Sequence, residues 1–229
     1  NDIAQLEAWE TLPHERLSPR ADTVASRMAV FRRLKHPSDT DSMFGPIRIL
    51  VMPIRSLIQP VVQGLGDVEP LVFTVGEDLP LDEAAKRLIE NAYTRVDLVM
   101  DRGEFAVRGG ILDVFPPTAP HPVRIEFFGD EIDTIKEFHA SDQRTYGDGL
   151  KTIWATACRE LQLTDAVRTR AKALVGSIPN AEDMLESIAN AIPVEGMESL
   201  MPALVDHLEP VGSMLPKYAV ILLSDPEKL

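Results

Sequence analysis

Two adjacent runs decide the middle of this fold: Gly103-Glu104-Phe105-Ala106-Val107-Arg108-Gly109-Gly110-Ile111-Leu112-Asp113-Val114-Phe115-Pro116-Pro117, and Pro122-Val123-Arg124-Ile125-Glu126-Phe127-Phe128-Gly129-Asp130. Apolar residues recur at every second position, the period of a pleated strand whose successive side chains face opposite ways. Phe105 and Val107 share one face, with Ala106 and Arg108 on the other. Gly109-Gly110 breaks the phase, because the next apolar set is Leu112 and Val114, and this predicts a bulge or bend at the glycine pair. Pro116-Pro117 ends the strand. In the second run Val123, Ile125 and Phe127 alternate with Arg124, Glu126 and Phe128. Inward packing of the first set puts Phe128 on the outer face beside Arg124. A phenyl ring among charges has two explanations. Either a helix covers that face and the ring is core, or the face is open, and Arg with aromatic residues is the composition of a protein-binding hot spot.

Outward from this block, Leu71–Val75 reads as a strand. Leu81, Ala84, Ala85, Leu88, Ile89 and Ala92 form one helical stripe behind Pro80. From Val96 to Phe138 the period is two, with Gly and Pro turns, the pattern of a β-meander. Nearer the amino terminus, Trp9-Glu10-Thr11-Leu12-Pro13-His14-Glu15 is turn-rich. A helix starting at Pro19 or Asp22 carries Val24, Met28, Phe31 and Leu34 and stops before Pro37, and a polar loop follows to Pro46. Ile47–Met52 and Tyr218–Leu223 are nearly continuous apolar runs, each expected to be a strand buried on both faces, as in parallel sheets. Helical spacing returns from Thr164. Asn180 with Asp183 resembles a capping box ahead of Met184, Leu185, Ile188 and Ile192, with Pro193 as the stop. This order predicts an α/β fold in which a parallel-sheet domain (1–69 and 158–229) is interrupted by an inserted α+β domain (70–157).

Composition narrows the function. Of 229 residues, 45% are apolar and 26% charged, the balance of a globular protein, and no apolar run is long enough for a membrane helix. The opening Asn1-Asp2-Ile3 reads as a fragment of something longer, without a secretory signal. Lys plus Arg total 23 against 36 Asp plus Glu, a net charge of −13. Between Arg95 and Arg144 there are 6 basic and 10 acidic residues. Neither figure suits a damage-sensing DNA binder, which needs a basic face to displace counterions from phosphate. The single Cys158 fits a reducing cytoplasm, and five scattered His give no metal-ligand spacing. None of the seven Lys follows a Gly, so the chain has no phosphate-cradling P-loop. Asp225 and Glu227 are then loop residues after a strand rather than Mg²⁺ ligands. A nucleotide-dependent enzyme whose P-loop precedes residue 1 stays open as an alternative.

The run from Arg102 to Pro116, followed by Arg124-Ile125-Glu126-Phe127-Phe128-Gly129-Asp130-Glu131-Ile132, resembles domain 2 shared by the excision-repair protein UvrB and the transcription-repair coupling factors. Trp9–Glu15, Ser18-Pro19 and Gly196-Met197-Glu198-Ser199-Leu200-Met201-Pro202 are similar to the coupling factors' version and favour them over UvrB. The resemblance extends from about Trp9 to Leu223 and is weakest at 160–190. It implies a partial RecA-like domain without a P-loop, interrupted by a domain that docks onto UvrA. It also implies that Arg108, Arg124 and Phe128 carry that contact from an open sheet face. No catalytic residue, metal or cofactor is implied for this stretch. ATP and Mg²⁺, RNA polymerase and double-stranded DNA would belong to the full-length cytoplasmic translocase, a helicase-like ATPase.

Overall fold

Between Pro19 and Pro37, the three- and four-residue spacing of Val24, Met28 and Phe31 produces a helix that buries all three. It appears in a computed structural model that describes residues 2–12, 15–37, 45–224 and 227. In chain order the elements begin with β1 (Ile3–Gln5), α1 (Ala21–Lys35), β2 (Ile49–Val51), α2 (Ile54–Ile58) and β3 (Pro60–Val62). The middle block follows: β4 (Leu71–Thr74), α3 (Leu81–Glu90), β5 (Thr94–Arg95), β6 (Glu104–Arg108), β7 (Ile111–Val114), β8 (Val123–Phe128), β9 (Glu131–Phe138), β10 (Thr145–Tyr146) and β11 (Thr152–Ala155). Last come α4 (Asp165–Leu174), α5 (Glu182–Ala189), α6 (Met201–Leu204) and β12 (Leu208–Pro210). No helix among the described residues is long and apolar enough to cross a membrane.

The meander closes into a six-stranded sheet of order β10-β9-β8-β7-β6-β5, antiparallel except where β5 meets β6. Its inner face presents Phe105, Leu112, Val114, Val123, Ile125, Ile132 and Ile135 to Leu88 of α3 and to Leu71 and Phe73 of β4, all fully or almost fully buried. At about 1.5–3 kcal/mol for each large apolar side chain withdrawn from water, this cluster is the main stabilising unit of the middle block. A second core lies between α4 and α5, under Trp9, Met197 and Leu200. A third packs Leu6, Val61 and Val211 against α1. The three small sheets β1–β2, β3–β12 and β4–β11 complete a mixed α/β fold.

Two segments that resemble the coupling factors, far apart in sequence, meet in space. Ser18 Oγ donates to Glu198 at 2.6 Å and accepts from the Gly196 N–H at 2.9 Å. Gly196 has φ +76, and a Cβ there would lie 2.7 Å from the Arg16 backbone, so only glycine fits this crossing. Pro13 and His14 of the neighbouring motif lie outside the described residues, as do most of the loop expected between Pro37 and Pro46, and Asp225.

Several expectations need correction. The run Ile47–Met52 yields a parallel strand, β2, paired with the unforeseen β1, but it is not buried on both faces, and Ile49 and Val51 are exposed. Only the Ala4 and Leu50 side of this ribbon meets the α1 core, so alternate side chains face water. Tyr218–Leu223 forms no strand and is exposed throughout. A strand requires a neighbour to satisfy its N–H and C=O groups, and no described strand pairs with this segment. Asn180 does not cap α5. It sits at φ 58 in a turn, a conformation Asn tolerates, and Ala181 takes the cap position without a side-chain bond. The helix after 160 is instead capped by Thr164, whose side chain accepts from Val167 N–H at 3.4 Å.

Candidate protein-docking surface

Gly109-Gly110 is the two-residue turn of the β6–β7 hairpin, not a bulge within one strand. Gly109 adopts φ +60, and a Cβ on Gly110 would stand 3.2 Å from Phe127 O, so the pair supplies both the left-handed turn and the close approach to β8. The Phe127 N–H donates to Gly110 O at 2.9 Å, which ties the turn to the next strand. With this turn the register follows. Arg108 lies opposite Ile111, Ile111 opposite Glu126, and Asp113 lies between Ala106 and Arg124. The outer face of β6, β7 and β8 therefore carries Arg108, Asp113, Arg124, Glu126 and Phe128.

Phe128 is 83% exposed at the end of β8, so the covering-helix explanation of this ring is removed. The arginines are not both open. Asp113, with a side chain only 1% exposed, accepts from Arg124 Nε at 2.7 Å and from its Nη2 at 2.9 Å, a bidentate fork. The same carboxylate accepts from Arg108 Nη2 at 2.5 Å. Arg124 also reaches Gln143 O at 3.4 Å, and its guanidinium lies 5.0 Å from the centre of the Phe138 ring. Its side chain is 19% exposed, whereas that of Arg108 is 49% exposed. Hydrogen bonding to Asp113, then the charges of Asp113 and Glu126, raise the Arg124 pKa further, against the opposing effect of burial. Arg108 and Arg124 are balanced by Asp113 and Glu126 on this face, and the more exposed of the two guanidiniums is that of Arg108.

Arg108 and Phe128 stand at the same end of the sheet, two strands apart and offset by two residues, roughly 12 Å between backbones from strand spacing and rise. Sequence reasoning placed all three residues on one face but missed Asp113. Its signal was present: an acid between Leu112 and Val114, in a strand flanked by two arginine-bearing strands. Reading Gly109-Gly110 as a turn sets the register that brings the acid between them.

A half-exposed cation and an exposed ring on one sheet face form a surface suited to binding a protein. The class is specific, because residues 71–154 match the family model of the UvrB interaction domain. The whole chain is homologous to the amino-terminal region of the transcription-repair-coupling factors, and it belongs to that family. It is 48% identical over 237 residues to the factor of Mycobacterium tuberculosis, covering 99% of this chain, and 34% identical to that of Myxococcus xanthus over 98%. The Escherichia coli factor is 35% identical over 62% of the chain. The chain spans 19% of the length of the mycobacterial and myxococcal relatives.

Proposed function

We propose that this module recruits UvrA during transcription-coupled nucleotide excision repair, docking through the outer face of β6–β8, where Arg108, Arg124 and Phe128 make up the binding group. In this reading residues 70–157 are the docking domain. Residues 1–69 and 158–229 form the scaffold, a partial RecA-like domain that has lost its phosphate loop. The module works by binding free energy alone and needs no cofactor. ATP and Mg²⁺, translocation on double-stranded DNA and displacement of stalled RNA polymerase belong to other parts of a cytoplasmic protein.

The observation that carries this reading is Phe128, a large apolar side chain held in water on the same sheet face as the half-exposed Arg108. An exposed aromatic ring beside an arginine is the composition in which interface hot spots are enriched. Arg108→Ala or Phe128→Ala is expected to weaken UvrA binding by roughly 1–4 kcal/mol, as truncation at interface hot spots does. Folding stability should change by no more than about 0.5 kcal/mol in Phe128→Ala, whose ring faces solvent, and somewhat more in Arg108→Ala, which removes one partner of the buried Asp113 while Arg124 keeps its fork. Titration calorimetry that returns wild-type affinity for both variants would remove UvrA docking from this face.

A further inference from the structure

We infer that Asp113 is the positioning residue of this surface, and that Arg124 acts on the partner through Asp113 and Arg108 rather than by direct contact. The inference rests on the docking function proposed above. Arg124 spends Nε and Nη2 on Asp113, turns Nη1 toward Gln143 O, and lies against Phe138. It has little left to offer a second protein. Arg108 gives one Nη2 bond to Asp113 and keeps half of its side chain in solvent. Asp113 is buried between the two and fixed from one side by the fork, so it holds Arg108 in one orientation before any partner arrives. An arginine is a flexible side chain, and binding by a free one includes the entropy of ordering it; a pre-set guanidinium avoids that cost.

The same geometry sets the partner's chemistry. Asp113 is already engaged by the fork of Arg124 while Arg108 keeps half of its side chain in solvent, so the matching surface brings one carboxylate to Arg108 and an apolar recess to Phe128. A partner with two carboxylates side by side would leave one of them facing Asp113.

The test is a mutant cycle measured by UvrA titration on the folded chain, with far-UV circular dichroism and thermal melts as controls. Arg108→Ala alone is expected to lower affinity at least tenfold. Asp113→Asn, and separately Arg124→Lys, which keeps the charge but loses the fork, are each expected to lower it about five- to tenfold. Either one combined with Arg108→Ala should bind no more weakly than Arg108→Ala itself, a non-additivity that a purely structural role would not produce. Should Asp113→Asn fail to fold, the Arg124→Lys arm carries the same comparison. Additive losses, unchanged affinity, or tighter binding in Asp113→Asn would overturn the positioning role while leaving UvrA docking intact. Wild-type affinity in both Arg108→Ala and Phe128→Ala would instead overturn the docking function and this inference with it.

Discussion

Cys158 lies at the foot of the main core, buried against Tyr93, whose hydroxyl donates to Thr156 O at 2.8 Å. Burial pushes the Cys158 thiol well above its ordinary value and raises Tyr93 likewise. The neutral thiol is thus the folded form at any physiological pH, and nucleophilic chemistry, which requires thiolate, is closed to it. The folded pKa is raised, so the contribution is complete below the unfolded value near 9 and is lost as pH rises above it, because the unfolded chain then releases a proton the folded chain retains. Cys158 should resist iodoacetamide at pH 8 in native protein and react at the rate of global unfolding. Rapid labelling without denaturant would contradict this burial.

At the scale of elements, α3 shows how a helix pattern becomes a sheet's support. Pro80 precedes its first turn, Asp82 and Glu83 lie at its positive end, and Arg87 lies in its last turn. Leu88 is fully buried against the inner face of the sheet. Leu88→Ala is expected to cost about 2–5 kcal/mol in urea unfolding, since it removes transfer energy and leaves a cavity behind the strands. The outer face lies across the sheet from this cavity. The folded fraction of the variant should therefore keep near-wild-type affinity for UvrA. The elements also show where reading by period stops. α1, α3 and the meander were legible because each has a partner that its own apolar stripe or alternation implies. β1 and β12 were not, because three residues carry no period and exist only as pairings with β2 and β3. Tyr218–Leu223 erred in the opposite direction, an apolar run with strand composition but no paired edge among the described residues.

Across the whole molecule, a fully buried polar junction joins the first and last thirds of the chain. Arg27 of α1 donates from Nε to Glu160 Oε1 at 2.5 Å and from Nη1 to Glu7 O, while Trp9 Nε1 donates to the same Glu160 oxygen at 2.9 Å. The Arg27 and Glu160 side chains are both fully buried. Such a pair contributes little net stability, but removing one partner leaves a charge without compensation in the interior. Glu160→Ala is expected to destabilise the protein by roughly 3–5 kcal/mol, measured by denaturant unfolding. Glu160→Gln, which keeps an acceptor for the indole, should cost less. Equal and negligible effects of both changes would show that this junction does not join the two segments.

The sequence alone determined the elements that carry their own period, the excess of acid, the absence of a phosphate-cradling lysine, and the face on which Arg108, Arg124 and Phe128 are arrayed. These follow from local geometry, since side-chain direction in a strand or helix depends on spacing and composition needs no coordinates. Only the tertiary structure decided that Phe128 is open to solvent, that Asp113 holds both guanidiniums, and that Glu160 reaches Arg27 across 133 residues of chain. Solvent exposure and charge pairing belong to the neighbours a residue acquires on folding, and strand register and chain crossing select those neighbours.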